Sequence, residues 1–172
     1  MNSAESRSHP VKVLFLCTHN SARSILSEAL LNHQGGGRFK AYSAGSQPRP
    51  NQTPHPLALE ALRDAGVSVD GLRSKSWDEF AGPNAPRIDL VITVCDNAAA
   101  ETCPIWPGHP ATAHWSHADP SAVRGDETAQ RAAFRATLEI IRDRLGRLVE
   151  LPDAALAPET IQGSARALAG GG

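Results

Sequence analysis

Cys17, Arg23 and Ser24 stand in the segment Cys17-Thr18-His19-Asn20-Ser21-Ala22-Arg23-Ser24, which puts a thiol and a guanidinium six positions apart. With ordinary arginine usage, roughly one cysteine in fifteen has an arginine at a given offset, so spacing alone carries little. The flanks carry more. A β-prone run, Val11 and Val13 to Leu16, leads into the cysteine, and Ile25, Leu26, Ala29 and Leu30 recur at helical spacing behind the arginine. A cysteine between a strand and a helix sits among converging loop amides at the positive end of the helix dipole. Such a setting binds an oxyanion and stabilises a thiolate. The chemistry expected here is nucleophilic attack by Cys17, with Ser24 donating a hydrogen bond to the thiolate. Arg23 would meet two oxygens of a tetrahedral anion in fork geometry. The plainer reading is a buried strand-end cysteine beside a surface arginine, and it gives no reason for this placement.

The elements that must position these residues follow from pattern. Val11 to Leu16 is nearly continuous in apolar residues, as in a central parallel strand, and the helix behind it stops at Gly35-Gly36-Gly37. A second strand fits Phe39 to Ser43, followed by a turn at Ala44-Gly45-Ser46 and a loop with Pro48, Pro50, Pro54 and Pro56. A helix starts at Pro56 and ends at Gly66, and Ser76 is a candidate N-cap for a short piece reaching Phe80. Ile88 to Val94 is the clearest strand and leads into Cys95; a last strand fits Ala111 to Trp115. Phe134, Leu138, Ile141, Leu145 and Leu148 stripe a long helix from about Asp126 to Glu150. Strands alternating with helices imply a parallel sheet whose right-handed crossovers put helices on both faces. Ligands of such sheets bind beyond the carboxyl ends of the strands. That rule gathers Cys17, Cys95 and the loop at Asp119-Pro120 on one edge.

The chain has 172 residues, 41% hydrophobic and 20% charged, which fits one domain, expected at 11–150. Residues 1–10 read as a disordered leader, and the Ala, Gly and Pro composition of 151–172 reads as a flexible tail. Lys and Arg number 17 against 18 Asp and Glu, which leaves no basic surplus for nucleic acid. No apolar run approaches a bilayer span and the first ten residues lack a signal-peptide core, so the cytoplasm is expected. An odd set of 3 cysteines, Cys17, Cys95 and Cys103, argues against a structural disulfide framework and for reactive thiols.

The run Val13 to Ser24, with Tyr42-Ser43-Ala44-Gly45 downstream, resembles the low-molecular-weight tyrosine phosphatase family, and more closely the arsenate reductases built on that fold. The resemblance extends from about Val11 to Leu148 and includes Val94-Cys95-Asp96, Cys103-Pro104, His114-Trp115 and Asp119-Pro120. The family loop of Cys, five residues, Arg and Ser is matched in full. The resemblance implies a three-layer α/β/α fold with a four-stranded parallel sheet. It implies an oxyanion-binding loop of Thr18, His19, Asn20, Ser21, Ala22, Arg23 and Ser24, and Asp119 as the acid that helps expel oxygen. It also implies that Cys17 attacks arsenate, that Cys95 attacks Cys17 to release arsenite, and that Cys103 then takes over Cys95. No cofactor is implied beyond an external thiol reductant: thioredoxin first, with glutaredoxin and glutathione or mycothiol as alternatives. Nothing in the sequence demands more than a monomer.

Two other activities fit part of the pattern. A phosphatase of the same fold would hydrolyse a Cys17 phosphoenzyme, but Ser121 stands after Asp119-Pro120 where such phosphatases usually carry an aromatic residue. A phosphocarrier would have no use for Asp119 or for two extra thiols. Some relatives bind potassium beneath the loop. Asn20, Glu28 and Ser43 match its ligands, whereas Ser76 stands where the fourth is usually acidic. A zinc site from Cys103, His109, His114 and His117 has no tight ligand spacing. Trp77, Trp106 and Trp115 are expected to pack, the Pro-rich loop to serve as a rigid crossover, and 96–102 to form a short helix that loosens when Cys95 and Cys103 pair.

Overall fold

The structure, a computed structural model, describes residues 9–94 and 110–169. Strand β1 (Val11–Cys17) leads to α1 (Arg23–Gln34), β2 (Phe39–Gly45), α2 (Pro56–Asp64) and a 3-10 turn at Trp77–Phe80. Then come β3 (Leu90–Thr93), β4 (Ala111–His114), a 3-10 turn at Pro120–Ala122 and α3 (Glu127–Val149). A further 3-10 turn at Asp153–Leu156 precedes α4 (Ile161–Ala169). All strand pairs are parallel, in the order β2-β1-β3-β4. The chain leaves β1 toward β2 on one side and returns to β3 on the other, so the direction of winding reverses between β1 and β3. Ligand crevices form at such reversals.

Alternation splits the core. Val11, Val13, Phe15 and Cys17 point to the face that packs against α1, α2, α3 and α4, joined there by Leu90, Ile92, Phe134, Leu138 and Ile141. Leu14, Leu16 and Val91 point to the other face, where Phe80, Ile88 and Trp77 meet them. The sheet is thus the middle of three layers. Every α-helix among the described residues lies on the first face, so the expectation of helices on both faces is met there by a 3-10 turn on the second. The α3 stripe is buried as its spacing predicts, and Asp126 caps the helix by accepting from the Ala129 N–H at 2.9 Å.

The tail departs from the composition-based expectation. Residues 153–156 and 161–169 fold onto β4, with Leu156, Ile161 and Ala165 buried. The reason is an exposed sheet edge and a large indole that both need covering. Trp115 is 1% exposed and its Nε1 donates to Ala165 O at 2.8 Å. Arg166 Nε donates to Thr112 O at 2.9 Å, and Gln162 Oε1 accepts from the Thr112 N–H at 3.1 Å. Polar groups of an edge strand that would template another chain are occupied within the molecule. The leader's residues 1–8, and Cys95, Cys103, Trp106, His109 and the segment 96–102, lie outside the described residues.

Candidate functional site

Cys17 ends β1, is 5% exposed and opens the loop 18–22 that runs into α1. Ala22 at the head of α1 has no side-chain acceptor, and the first turn carries no acidic residue. The N-cap position itself therefore supplies no side-chain cap to the helix start, whose N–H groups can face an anion.

The loop keeps its shape through Asn20, fully buried with φ of 57°. An asparagine tolerates that left-handed backbone better than most residues. Its Nδ2 donates to Ser24 Oγ at 2.8 Å and to Ser43 Oγ at 2.9 Å, and its Oδ1 accepts from the Lys75 N–H at 2.9 Å. Ser74 Oγ donates to Asn20 O at 2.5 Å. Gly45, paired with Cys17 in the sheet, runs directly beneath the loop. A Cβ there would lie 2.6 Å from Thr18 O and 3.0 Å from His19 C. The strand therefore continues through the expected turn at Ala44-Gly45, and this glycine is needed for close approach.

Below lies a largely buried charge pair. Ser43 Oγ donates to Glu28 Oε1 at 2.5 Å, while the Lys75 ammonium donates to Ser43 O at 2.8 Å and Arg73 O at 2.7 Å, 3.9 Å from Glu28 Oε1. Burial pushes Glu28 up from the ordinary carboxylate range and Lys75 down, and each is opposed by the other's charge. A potassium ion does not fit these groups. The oxygens of Asn20 and Ser43 that resemblance assigned to it are engaged, and a lysine ammonium stands beside Glu28.

The loop after β4 meets the anion loop at Arg23. Arg23 Nη1 donates to His117 O at 3.0 Å, and Nη2 lies 3.6 Å from Asp119 Oδ2, while the buried Nε has no partner among the described residues. Asp119 Oδ1 accepts from Ser121 N–H at 2.9 Å and Ser121 Oγ at 2.7 Å. The residue that replaces the aromatic wall therefore aims the carboxylate. His117 is 7% exposed, its N–H donates to Val94 O at 3.3 Å, and its Nε2 has no partner among the described residues. Burial, then Arg144 and Arg23, push its pKa down to about 4, so the ring is neutral near pH 7. His114 Nδ1 instead engages Thr93. No group of three His, Cys, Asp or Glu able to hold a metal occurs among the described residues.

A cleft of about 450 Å³ opens between the two loops, lined by His19 and Ser21, by Arg49, Gln52, Thr53, Pro54, His55 and Pro56, and by Asp119 and Ser121. Its described lining holds no Phe, Tyr or Trp. His55 ties this wall down: its N–H donates to Ser21 O at 2.8 Å, its Nδ1 accepts from the Leu57 N–H, and its ring lies on Phe134 at 4.6 Å. Burial lowers its pKa, partly offset by Asp119.

The structure thus brings together Cys17, Thr18 to Ser24 and Asp119. Sequence reasoning missed Lys75, His55 and the function of Ser121, and it weighed His117 only as a zinc ligand. Only His55 had a usable signal, a capping-competent side chain directly before Pro at the first helical position.

Among the described residues no helix is long and apolar enough to cross a membrane. A family model for the low molecular weight phosphotyrosine protein phosphatases matches residues 12–160. The chain is 35% identical over 138 residues to an arsenate reductase of Bacillus licheniformis, covering 80% of this chain and 94% of that one. It is 33% identical to an arsenate reductase of Bacillus subtilis over the same shares. Among solved structures it resembles an arsenate reductase of Archaeoglobus fulgidus, with a TM-score of 0.61, 28% identity, and 81% of this chain and 99% of that chain covered. It also resembles a thioredoxin-dependent arsenate reductase of Corynebacterium glutamicum, with a TM-score of 0.57 and 28% identity, over 85% of this chain and 64% of that one.

Proposed function

We propose, from the premise that this chain belongs to the low-molecular-weight phosphotyrosine protein phosphatase family and to the arsenate reductases within it, that it reduces arsenate through a relay of Cys17, Cys95 and Cys103. The relay serves arsenic detoxification in the cytoplasm, with thioredoxin as reductant. In the first step the Cys17 thiolate attacks arsenic and an oxygen leaves as water, its proton supplied by Asp119. The loop amides and Arg23 hold the remaining oxygens. The Arg23 Nε–H, without a partner among the described residues, supports this role, because a buried donor without an acceptor is costly unless a ligand supplies one.

In the second step the Cys95 thiolate attacks Cys17 sulfur. The sulfur–arsenic bond breaks with its electron pair staying on arsenic, which leaves as arsenite, and a Cys17–Cys95 disulfide forms. Cys103 then attacks Cys95, which frees the Cys17 thiolate and leaves a Cys95–Cys103 disulfide for thioredoxin to reduce by two electrons.

One observation carries the relay over simple hydrolysis. Thr93 is in register with Leu16 on the neighbouring parallel strand and the Val94 N–H donates to Leu16 O at 2.8 Å, so the described chain of β3 ends beside the strand that carries Cys17. The cleft supports the same reading, since no described aromatic side chain frames a phenyl ring.

The test is steady-state turnover with thioredoxin, thioredoxin reductase and NADPH. Cys17→Ser is expected to be inactive, and Cys103→Ser to stop after one turnover in the absence of glutathione. Sustained thioredoxin-driven turnover by Cys103→Ser contradicts the relay. The cleft exceeds a single tetrahedral anion in volume, which favours one second reading, a phosphatase. On that reading, aryl-phosphate hydrolysis is fast and indifferent to Cys95→Ser.

A further inference from the structure

Residues 74–76 strap the anion loop from below. Ser74 Oγ and the Lys75 N–H bind the two oxygens of Asn20, and Lys75 O accepts from the Gly45 N–H at 2.8 Å. The Lys75 side chain then turns under the loop and is 9% exposed. Its ammonium donates to Ser43 O and Arg73 O, and it faces Glu28, which Ser43 Oγ joins to Asn20.

Glu28 would otherwise be a buried carboxylate with its negative charge beneath a loop that must accept an anion. Of the cations whose charge reaches it, Arg73 is committed to Glu79 through two hydrogen bonds, and Lys40 lies over the Tyr42 ring. Lys75 alone combines burial with direct contact to the loop's floor. The resemblance placed an exchangeable potassium ion on this same floor, and its fit here fails because the positive charge is already attached to the chain.

We propose that Lys75 is a built-in cation: a positioning residue that neutralises Glu28, fixes Ser43 and through it Asn20, and makes oxyanion binding independent of potassium. This rests on the reading that the Cys17 loop binds a tetrahedral oxyanion, and no reduction step is needed to test it. Lys75→Met removes the charge while leaving the backbone N–H on Asn20. Lys75→Ala also leaves room for a small cation.

Inorganic phosphate is titrated calorimetrically into the full chain at neutral pH, in potassium, sodium or choline chloride of equal ionic strength. Wild-type affinity is expected to be the same in all three salts. Lys75→Met is expected to bind about tenfold more weakly in each, the scale of one lost hydrogen bond to a charged group. Lys75→Ala is expected to be equally weak in choline and to recover most of the loss in potassium or with added methylammonium, a response that mere loosening of the fold does not produce. Potassium strengthening wild-type binding, Lys75→Met binding like wild type, or Lys75→Ala indifferent to every cation each overturns the proposal. If Lys75→Ala does not fold, the wild-type salt series and Lys75→Met decide. Failure of wild type to bind phosphate in any salt overturns the oxyanion-loop reading as well, whereas tight but potassium-dependent binding overturns only the role of Lys75.

Discussion

The loop after β1 and the loop after β4 meet at Arg23, but they are held by different means. Asn20 in the first is fully buried, and its side chain makes three hydrogen bonds to Ser24, Ser43 and Lys75. Asp119 in the second has a side chain that is 36% exposed, and its bonds run to Ser121, two residues away, and to Arg23. The first loop is preorganised: its geometry is fixed before any anion arrives, so binding need not pay to order it. The second is poised at the surface, where the proposed proton donor Asp119 can meet solvent between turnovers. Structural cost and chemical cost should therefore separate between the two loops.

Asp119→Asn provides the largest contrast. It should lower kcat for arsenate by about 10²- to 10⁴-fold, the range of a lost general acid. Its unfolding free energy should stay within about 0.5 kcal/mol of wild type, as for an exposed substitution. Asn20→Ala should do the reverse in emphasis, destabilising the fold by about 3 kcal/mol in urea unfolding because buried partners are left unpaired. It should also weaken phosphate binding. Equal destabilisation by the two substitutions breaks the comparison.

His117 sharpens it through pH. In the unfolded chain its ring takes a proton near its ordinary value of 6.5, but in the folded protein only near about 4. Its contribution is therefore intact above pH 6.5 and lost progressively as pH falls toward 4, by about 3 kcal/mol in total. Glu28, whose carboxyl is raised by burial, works in the opposite sense, holding its proton longer in the folded state. Comparing urea midpoints of wild type and His117→Gln across this window isolates the histidine; parallel pH profiles would contradict its burial as a neutral ring. Ser121→Ala carries the smallest expected effect, a few-fold loss in kcat from a less well aimed Asp119, read in the same assay.

Regions whose shape is set by local pattern were legible in the sequence. The strand-loop-helix around Cys17 was read from one apolar run and one helical period, and the α3 stripe from five residues that are all buried. Asp119 was placed near Cys17 by the sheet rule alone. Of the floor of the site, Asn20, Glu28 and Ser43 were named through the resemblance but Lys75 was not legible, because it lies 47 positions from Glu28 and only tertiary folding makes them partners. His117 entered the sequence reading only as a weak zinc candidate, because nothing local signals its burial. The tail misled for a compositional reason. Its Ala and Gly content hides an apolar face at Ile161, Ala165 and Leu168, whose spacing of four and three is helical, and that face gains stability only against Trp115 and β4.

The most direct measurement for the cysteine relay is a thiol count with disulfide mapping by mass spectrometry, after one equivalent of arsenate is added to the fully reduced protein. The relay predicts one equivalent of arsenite, loss of two thiols, a Cys95–Cys103 linkage and an unmodified Cys17. Arsenate left unreduced with all three thiols intact, or a disulfide that retains Cys17 as its final partner, would contradict it.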